Sequence, residues 1–119
     1  MEIQTTVDFV GLDISPALRE DVLKHAGELE HLVPADASCH VTIAHAENRH
    51  RHGNRFVVHA RLNLPGTVLE AGHTPVSDET HEDPQRAIVD AFAELRRQLE
   101  EFLHRQRGEV KAHDRRAGS

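Results

Sequence analysis

Apolar and polar residues alternate one by one at the start of this chain. In EIQTTVDFV, Ile3, Thr5, Val7 and Phe9 fall on one side, and Glu2, Gln4, Thr6 and Asp8 on the other. A period of two predicts a strand with one buried face. The rhythm then changes. In DISPAL, Ser15 carries an oxygen suited to capping a helix, and Pro16 has the fixed φ that suits the first helical position. Leu18, Val22, Ala26, Leu29 and Val33 follow at steps of three and four. They predict one apolar stripe on a helix of about four to five turns, ended by Pro34.

Alternation returns twice more. Cys39, Val41 and Ile43 share one face of residues 38–45, and Phe56, Val58, Ala60, Leu62 and Leu64 one face of residues 55–64. Folding the second run back on the first sets Ile43 opposite Val58 and Val41 opposite Ala60. Apolar residues then meet apolar residues on one side of the pair. ENRHRHGN becomes the loop of an antiparallel hairpin, with Gly53-Asn54 as its turn chemistry. LPGT makes a second turn and TVLEAGHT a further strand. Asp83 and Pro84 repeat the cap and first-turn pair. Ile88, Ala91, Phe92, Leu95, Leu99, Phe102 and Leu103 then stripe a helix from Pro84 to about Arg107.

The predicted order is β-α-β-β-β-α, an α+β fold. A sheet with one apolar face needs a cover, and two amphipathic helices supply it. The expected architecture is a two-layer sandwich, a four-stranded mixed sheet with both helices packed on one face. The first helix crosses between two parallel strands. With 119 residues the chain fits one domain, expected over residues 1–108 and followed by a basic, flexible tail over 109–119.

Composition narrows the chemistry. Cys39 is the lone cysteine and lies on the apolar face of a strand, so it reads as a core residue rather than a nucleophile. No GxSxG, P-loop, HExxH or GxGxxG pattern occurs, and no enzyme is expected. No apolar run is long enough to span a bilayer, and no signal-peptide pattern opens the chain. A cytoplasmic protein is the expectation. With no Trp or Tyr, a base-stacking RNA platform is not expected, so any RNA contact would go through phosphate, ribose and shape.

Net charge is −6, yet it is unevenly spread. Residues 1–36 hold 2 basic and 8 acidic side chains, whereas residues 37–74 hold 4 and 2, and residues 101–119 hold 5 and 3. The hairpin and the C-terminal stretch are locally positive within an acidic molecule. Eleven histidines make the total charge sensitive to pH. On the last helix, Arg86, Arg97 and His104 fall opposite the apolar stripe, with Arg96 and Arg107 on a flank. Glu100 and Glu101, four residues after Arg96 and Arg97, are placed to pair with them. The outer sheet face is expected to carry His40, Thr42, His59, Arg61 and Asn63. His50 and His52, joined by His73 or His81 across the same end of the sheet, make a speculative metal site. No spacing here matches a strong zinc signature. No cofactor is expected beyond weak or adventitious divalent metal at those histidines.

Three stretches together resemble the ribosome hibernation-promoting factor family, also called ribosome-associated inhibitors or sigma-54 modulation proteins. They are ISPALRE after the first strand, LNLPG at the second turn, and EDPQRAIVDAFAELRRQLEEF in the last helix. In the last of these the matching positions are Asp83, Ala87, Ile88, Asp90, Leu95, Gln98 and Leu99. The resemblance covers nearly the whole chain. It implies a non-enzymatic, cytoplasmic protein that binds the small ribosomal subunit and its rRNA and blocks the channel for mRNA and tRNA under stress. It also implies basic side chains on rRNA. By position on the helical wheel and sheet, these would be Lys24, Arg86, Arg96, Arg97, Arg105, Arg107 and Lys111, with Arg49, Arg51 and Arg61 as a second set. A separate cold-shock protein or a second copy of the chain are further expected partners. One departure stands out. Typical members have lysine-rich helices, whereas the first helix here reads REDVLKHAGELEHL and is acidic. Two alternatives stay beside this reading: a metal- or pH-responsive module built on the histidines, and a protein-interaction domain on the same fold.

Overall fold

A computed structural model describes residues 3–45, 56–72 and 83–117, with side chains as far as Arg107. The elements are β1 (Gln4–Val10), α1 (Pro16–Glu28), a single 3-10 turn (Glu30–Leu32), β2 (Ser38–His45), β3 (Phe56–Leu64), β4 (Thr67–Ala71) and α2 (Pro84–Ala117). The sheet order is β1-β2-β3-β4. β1 pairs parallel to β2, and the other two pairings are antiparallel. This is the expected α+β, four-stranded mixed sheet.

The register follows the apolar pattern. Ile43 faces Val58 and Val41 faces Ala60. Cys39, Val41, Ile43, Val58, Ala60 and Leu62 are buried on the inner face of the sheet. Leu18, Val22 and Ala26 of α1, and Ile88, Phe92, Leu95 and Leu99 of α2, are buried in the same cluster. Among the described residues, no polar or charged side chain is buried, so the interior between the layers is held by hydrophobic burial. Polar groups tie the layers only at their margins. Gln98 Nε2 in α2 donates to the Glu70 carbonyl of β4 at 2.9 Å. The Glu30 carboxylate accepts the Ile3 backbone N–H at 2.9 Å, next to the start of β1.

Both helix starts form as their caps predict. Ser15 Oγ accepts from the Leu18 N–H with Pro16 at the first helical position, and Asp83 Oδ1 accepts from the Gln85 N–H at 3.0 Å. The helix ends differ from expectation. α1 stops at Glu28 rather than running to Pro34. The Leu32 N–H reaches back to the Leu29 carbonyl and that of Val33 to Glu30, which tightens the chain into a 3-10 turn. Val33, just before Pro34, is extended at φ −122° and ψ 155°, as a following proline requires. α2 runs ten residues past Arg107 to Ala117. At 34 residues it is about 51 Å long, while the nine residues of β3 cover about 31 Å. The end of α2 therefore overhangs the sheet.

Two glycines are fixed by backbone geometry, for different reasons. Gly66 follows Pro65 in the β3–β4 turn with φ 82°, as a type II turn demands, and has open space around it. Gly72 has φ 85°, and a Cβ there would sit 1.9 Å from the Val58 carbonyl oxygen. Gly66→Ala is expected to cost about 1–2 kcal/mol from φ alone. Gly72→Ala adds a backbone clash and is expected to cost about 3 kcal/mol or more. Urea denaturation of both variants checks this, and equal midpoints would contradict it.

Candidate nucleic-acid interface

The apolar interface between helices and sheet leaves two kinds of surface for a partner, the outward sides of the helices and the open face of the sheet. The candidate cations divide between them. On α2, Arg86, Arg97 and His104 project away from the sheet, with Arg96 and Arg107 on one flank and Arg105 on the other. Helical periodicity sets this arrangement, since the buried stripe Ile88, Leu95, Leu99 occupies the opposite side.

Each of these arginines but one meets a carboxylate on its own helix. Arg86 Nε lies 3.4 Å from Asp90, and Arg96 Nε 3.0 Å from Glu100. Arg97 is held from two sides. Its Nη2 and Nε donate to the two Glu94 oxygens at 2.6 and 3.0 Å, and its Nη1 donates to Glu101 at 3.2 Å. Arg105 lies 3.5 Å from the same Glu101. The Arg97 hydrogen bonds, with a further one from Gln98, hold the Glu94 carboxyl below its ordinary range. In return Glu94 raises the already high pKa of the Arg97 guanidinium. The row of cations on α2 is thus a row of solvent-exposed ion pairs, each weak on its own but each lowering the net field.

The other expected positions fall as follows. Lys24 is exposed on α1, and Arg107 is exposed on α2. Neither makes an ion pair among the described residues. Arg19, on the exposed side of α1, behaves likewise and was not among the expected set. Arg61 lies on the open face of the sheet, across from the helices, with its Nε donating to Glu70 Oε1 at 2.9 Å. It therefore belongs to a different surface from α2. Lys111 lies within α2, with its side chain beyond the described part, and Arg49 and Arg51 lie outside the described residues.

The open sheet face carries more organisation than the outline of polar residues suggested. His40 Nε2 and Asp8 Oδ2 are 2.5 Å apart, joining β2 to β1. His59 lies 3.7 Å from Glu70, joining β3 to β4. Asn63 Nδ2 donates to Ser38 Oγ at 3.2 Å. The signal was present in the strand register, which sets His40 opposite Arg61 and Arg61 opposite Glu70.

The speculative metal ligands His50, His52, His73 and His81 all lie outside the described residues. Among the described residues, no group of three or more metal-ligating side chains converges. Cys39 is 1% exposed, and burial pushes its thiol up to about 12. It is a core residue, as its place on the strand predicts.

A family model described as sigma 54 modulation protein / S30EA ribosomal protein matches residues 5–107. No curated protein matches the chain. Among solved structures, the chain is similar to the N-terminal domain of Protein Y from Thermus thermophilus. The two share 22% identity with a TM-score of 0.65, over 86% of this chain and 99% of that one. It is also similar to a ribosomal subunit interface protein from Coxiella burnetii. There the identity is 27% and the TM-score 0.56, over 87% of this chain and 99% of that one.

Cys39 gives a pH test of the core. Its folded pKa lies above its ordinary value of 9.0. Below pH 9 both states keep the proton, so the thiol adds no pH dependence. Between 9 and about 12 only the unfolded chain ionises, and stability falls by up to about 1.4 kcal/mol per pH unit. Cys39→Ala should lack this loss. Urea titrations of both proteins at about pH 8 and about pH 10 measure it, and parallel losses would contradict the assignment.

Proposed function

This chain belongs to the sigma 54 modulation protein / S30EA ribosomal protein family of ribosome-associated hibernation factors, and we propose that it binds the small ribosomal subunit and blocks the mRNA–tRNA channel. The family match over residues 5–107, joined to the two-layer fold, carries this reading. The action is occlusion rather than catalysis. A rigid sandwich fills the channel, and cations on its rim hold it to rRNA phosphates. A role on the ribosome puts the chain in the cytoplasm. Consistent with that, no helix among the described residues is long and apolar enough to cross a membrane.

The interface is the outward side of the helical layer. Lys24 and Arg107 offer charge with no described ion pair to break, and Arg86, Arg96, Arg97 and Arg105 offer charge shared with helix carboxylates. Lys111, further along α2, belongs to the same proposed set. Arg61, with Arg49 and Arg51, forms the second set. A phosphate reaching Arg97 competes with Glu94 and Glu101 for the same donors, so that contact gains less than one to a lone lysine. The acidic α1 lowers the gain further. The chain is therefore a weak ribosome binder with a shallow salt dependence.

Sucrose-gradient sedimentation with purified small subunits tests the proposal. At low salt the protein should travel with the subunit, and Lys24→Ala combined with Arg107→Ala should weaken binding by about tenfold. Protein that stays at the top of the gradient at low salt, at about pH 6 as well as about pH 7.5, overturns the reading.

A further inference from the structure

Among the described residues, the open face of the sheet holds a small set of charged and titratable side chains. β1 contributes Asp8, β2 contributes His40, β3 contributes His59 and Arg61, and β4 contributes Glu70. Around them the described face is uncharged: Gln4, Thr6, Ser38, Thr42, Asn63 and Val68. Asp8 touches His40 at 2.5 Å. Glu70 holds Arg61 at 2.9 Å and lies 3.7 Å from His59. His40 and Arg61 are direct cross-strand partners. His40, His59 and Arg61 thus gather at the centre of the face, with one carboxylate on each outer strand.

We propose that this face is a second, proton-gated binding surface for the phosphodiester backbone of single-stranded RNA. Among the described side chains, with both imidazoles neutral, one arginine stands against two carboxylates, and this group repels phosphate. With both protonated, three cations stand against two carboxylates, and the sign of the group reverses. Histidine is the side chain whose charge changes in the physiological range.

The following groups among the described residues face each switch residue. His40 sees Asp8 from β1 and Arg61 from β3. His59 sees Glu70 from β4, Arg61 from its own strand and the uncharged Thr42 from β2. The helices pack on the other side of the sheet and do not face either residue. Charge complementarity names the occupant. His40, His59 and Arg61 present ring and guanidinium N–H donors, which suit phosphate oxygens. No Phe, Tyr or Trp lies among the described residues of this face to form a base-stacking platform, so the surface reads backbone and not sequence. The proposal rests on the reading of the chain as an RNA-binding protein, and it uses a surface distinct from α1 and α2.

The experiment titrates the full chain with a short oligouridine. Imidazole resonances of His40 and His59 and the Arg61 guanidinium are followed by NMR at about pH 6 and about pH 7.5. Three proteins are compared: wild type, Asp8→Asn/Glu70→Gln, and His40→Gln/His59→Gln. In wild type, the oligonucleotide should perturb these resonances at the lower pH and bind about tenfold more tightly than at the higher. Asp8→Asn/Glu70→Gln should bind as tightly at the higher pH as wild type does at the lower. His40→Gln/His59→Gln should lose the pH dependence. Perturbation confined to α2, a pH dependence that survives the histidine changes, or no gain from removing the carboxylates overturns the proposal. Matching unfolding midpoints for the three proteins control for folding. The gradient experiment keeps the two readings apart. If no protein sediments with subunits yet the oligonucleotide behaves as described, the ribosome reading fails and the site stands. If subunits bind but the carboxylate variant gains nothing, the site fails alone.

Discussion

The structure depends on the cross-strand pairing of apolar side chains between β2 and β3. Val41 and Ile43 meet Ala60 and Val58 in register, all fully or nearly fully buried. A slip of β3 by one residue would turn Val58 and Ala60 to the open face and bring His59 and Arg61 inward beside Val41 and Ile43. The register thus decides two things at once. It fixes the floor on which Val22, Ile88, Leu95 and Leu99 pack, and it fixes which polar side chains share the open face. With no polar or charged side chain buried among the described residues, the specificity of the fold comes from this pattern and from margin contacts such as Gln98 to the Glu70 carbonyl.

Function is then a matter of what charge remains outside. A chain of net charge −6 that is proposed to bind rRNA has to present cations without a strongly positive body. α2 does so with arginines held in i,i+3 and i,i+4 pairs, Arg97 most firmly of all. Such pairs act as tethered counterions. They keep the helix soluble and soften its pull on phosphate. The sheet face applies the same device with histidine, where the counter-charge can be offset by protons.

Most of the fold was legible in the sequence because its information is periodic. Strand register, both N-caps and the buried stripe of α2 each rest on patterns that local geometry obeys. The two misread helix ends have physical causes. Val33 continues the stripe of α1, but the chain tightens into a 3-10 turn before Pro34, a choice made by backbone hydrogen bonds rather than by hydrophobicity. Past Leu103 the apolar stripe of α2 fades, so the pattern stopped where the helix did not. The interface was legible in part. Ion pairs along one helix follow from spacing, as for Arg96 and Glu100. The Asp8–His40 and His59–Glu70 contacts needed four strands aligned side by side, which no single segment displays. The histidine loop that stands out most in the sequence lies outside the described residues.

The central claim is that the carboxylates of α2 hold back its arginines from RNA. The salt dependence of small-subunit binding tests it most directly, compared between wild type and a Glu94→Gln, Glu100→Gln, Glu101→Gln variant. The account predicts a steeper slope of log K against log salt for the variant, by about two to three units, as freed arginines displace counterions from phosphate. An unchanged slope would contradict it.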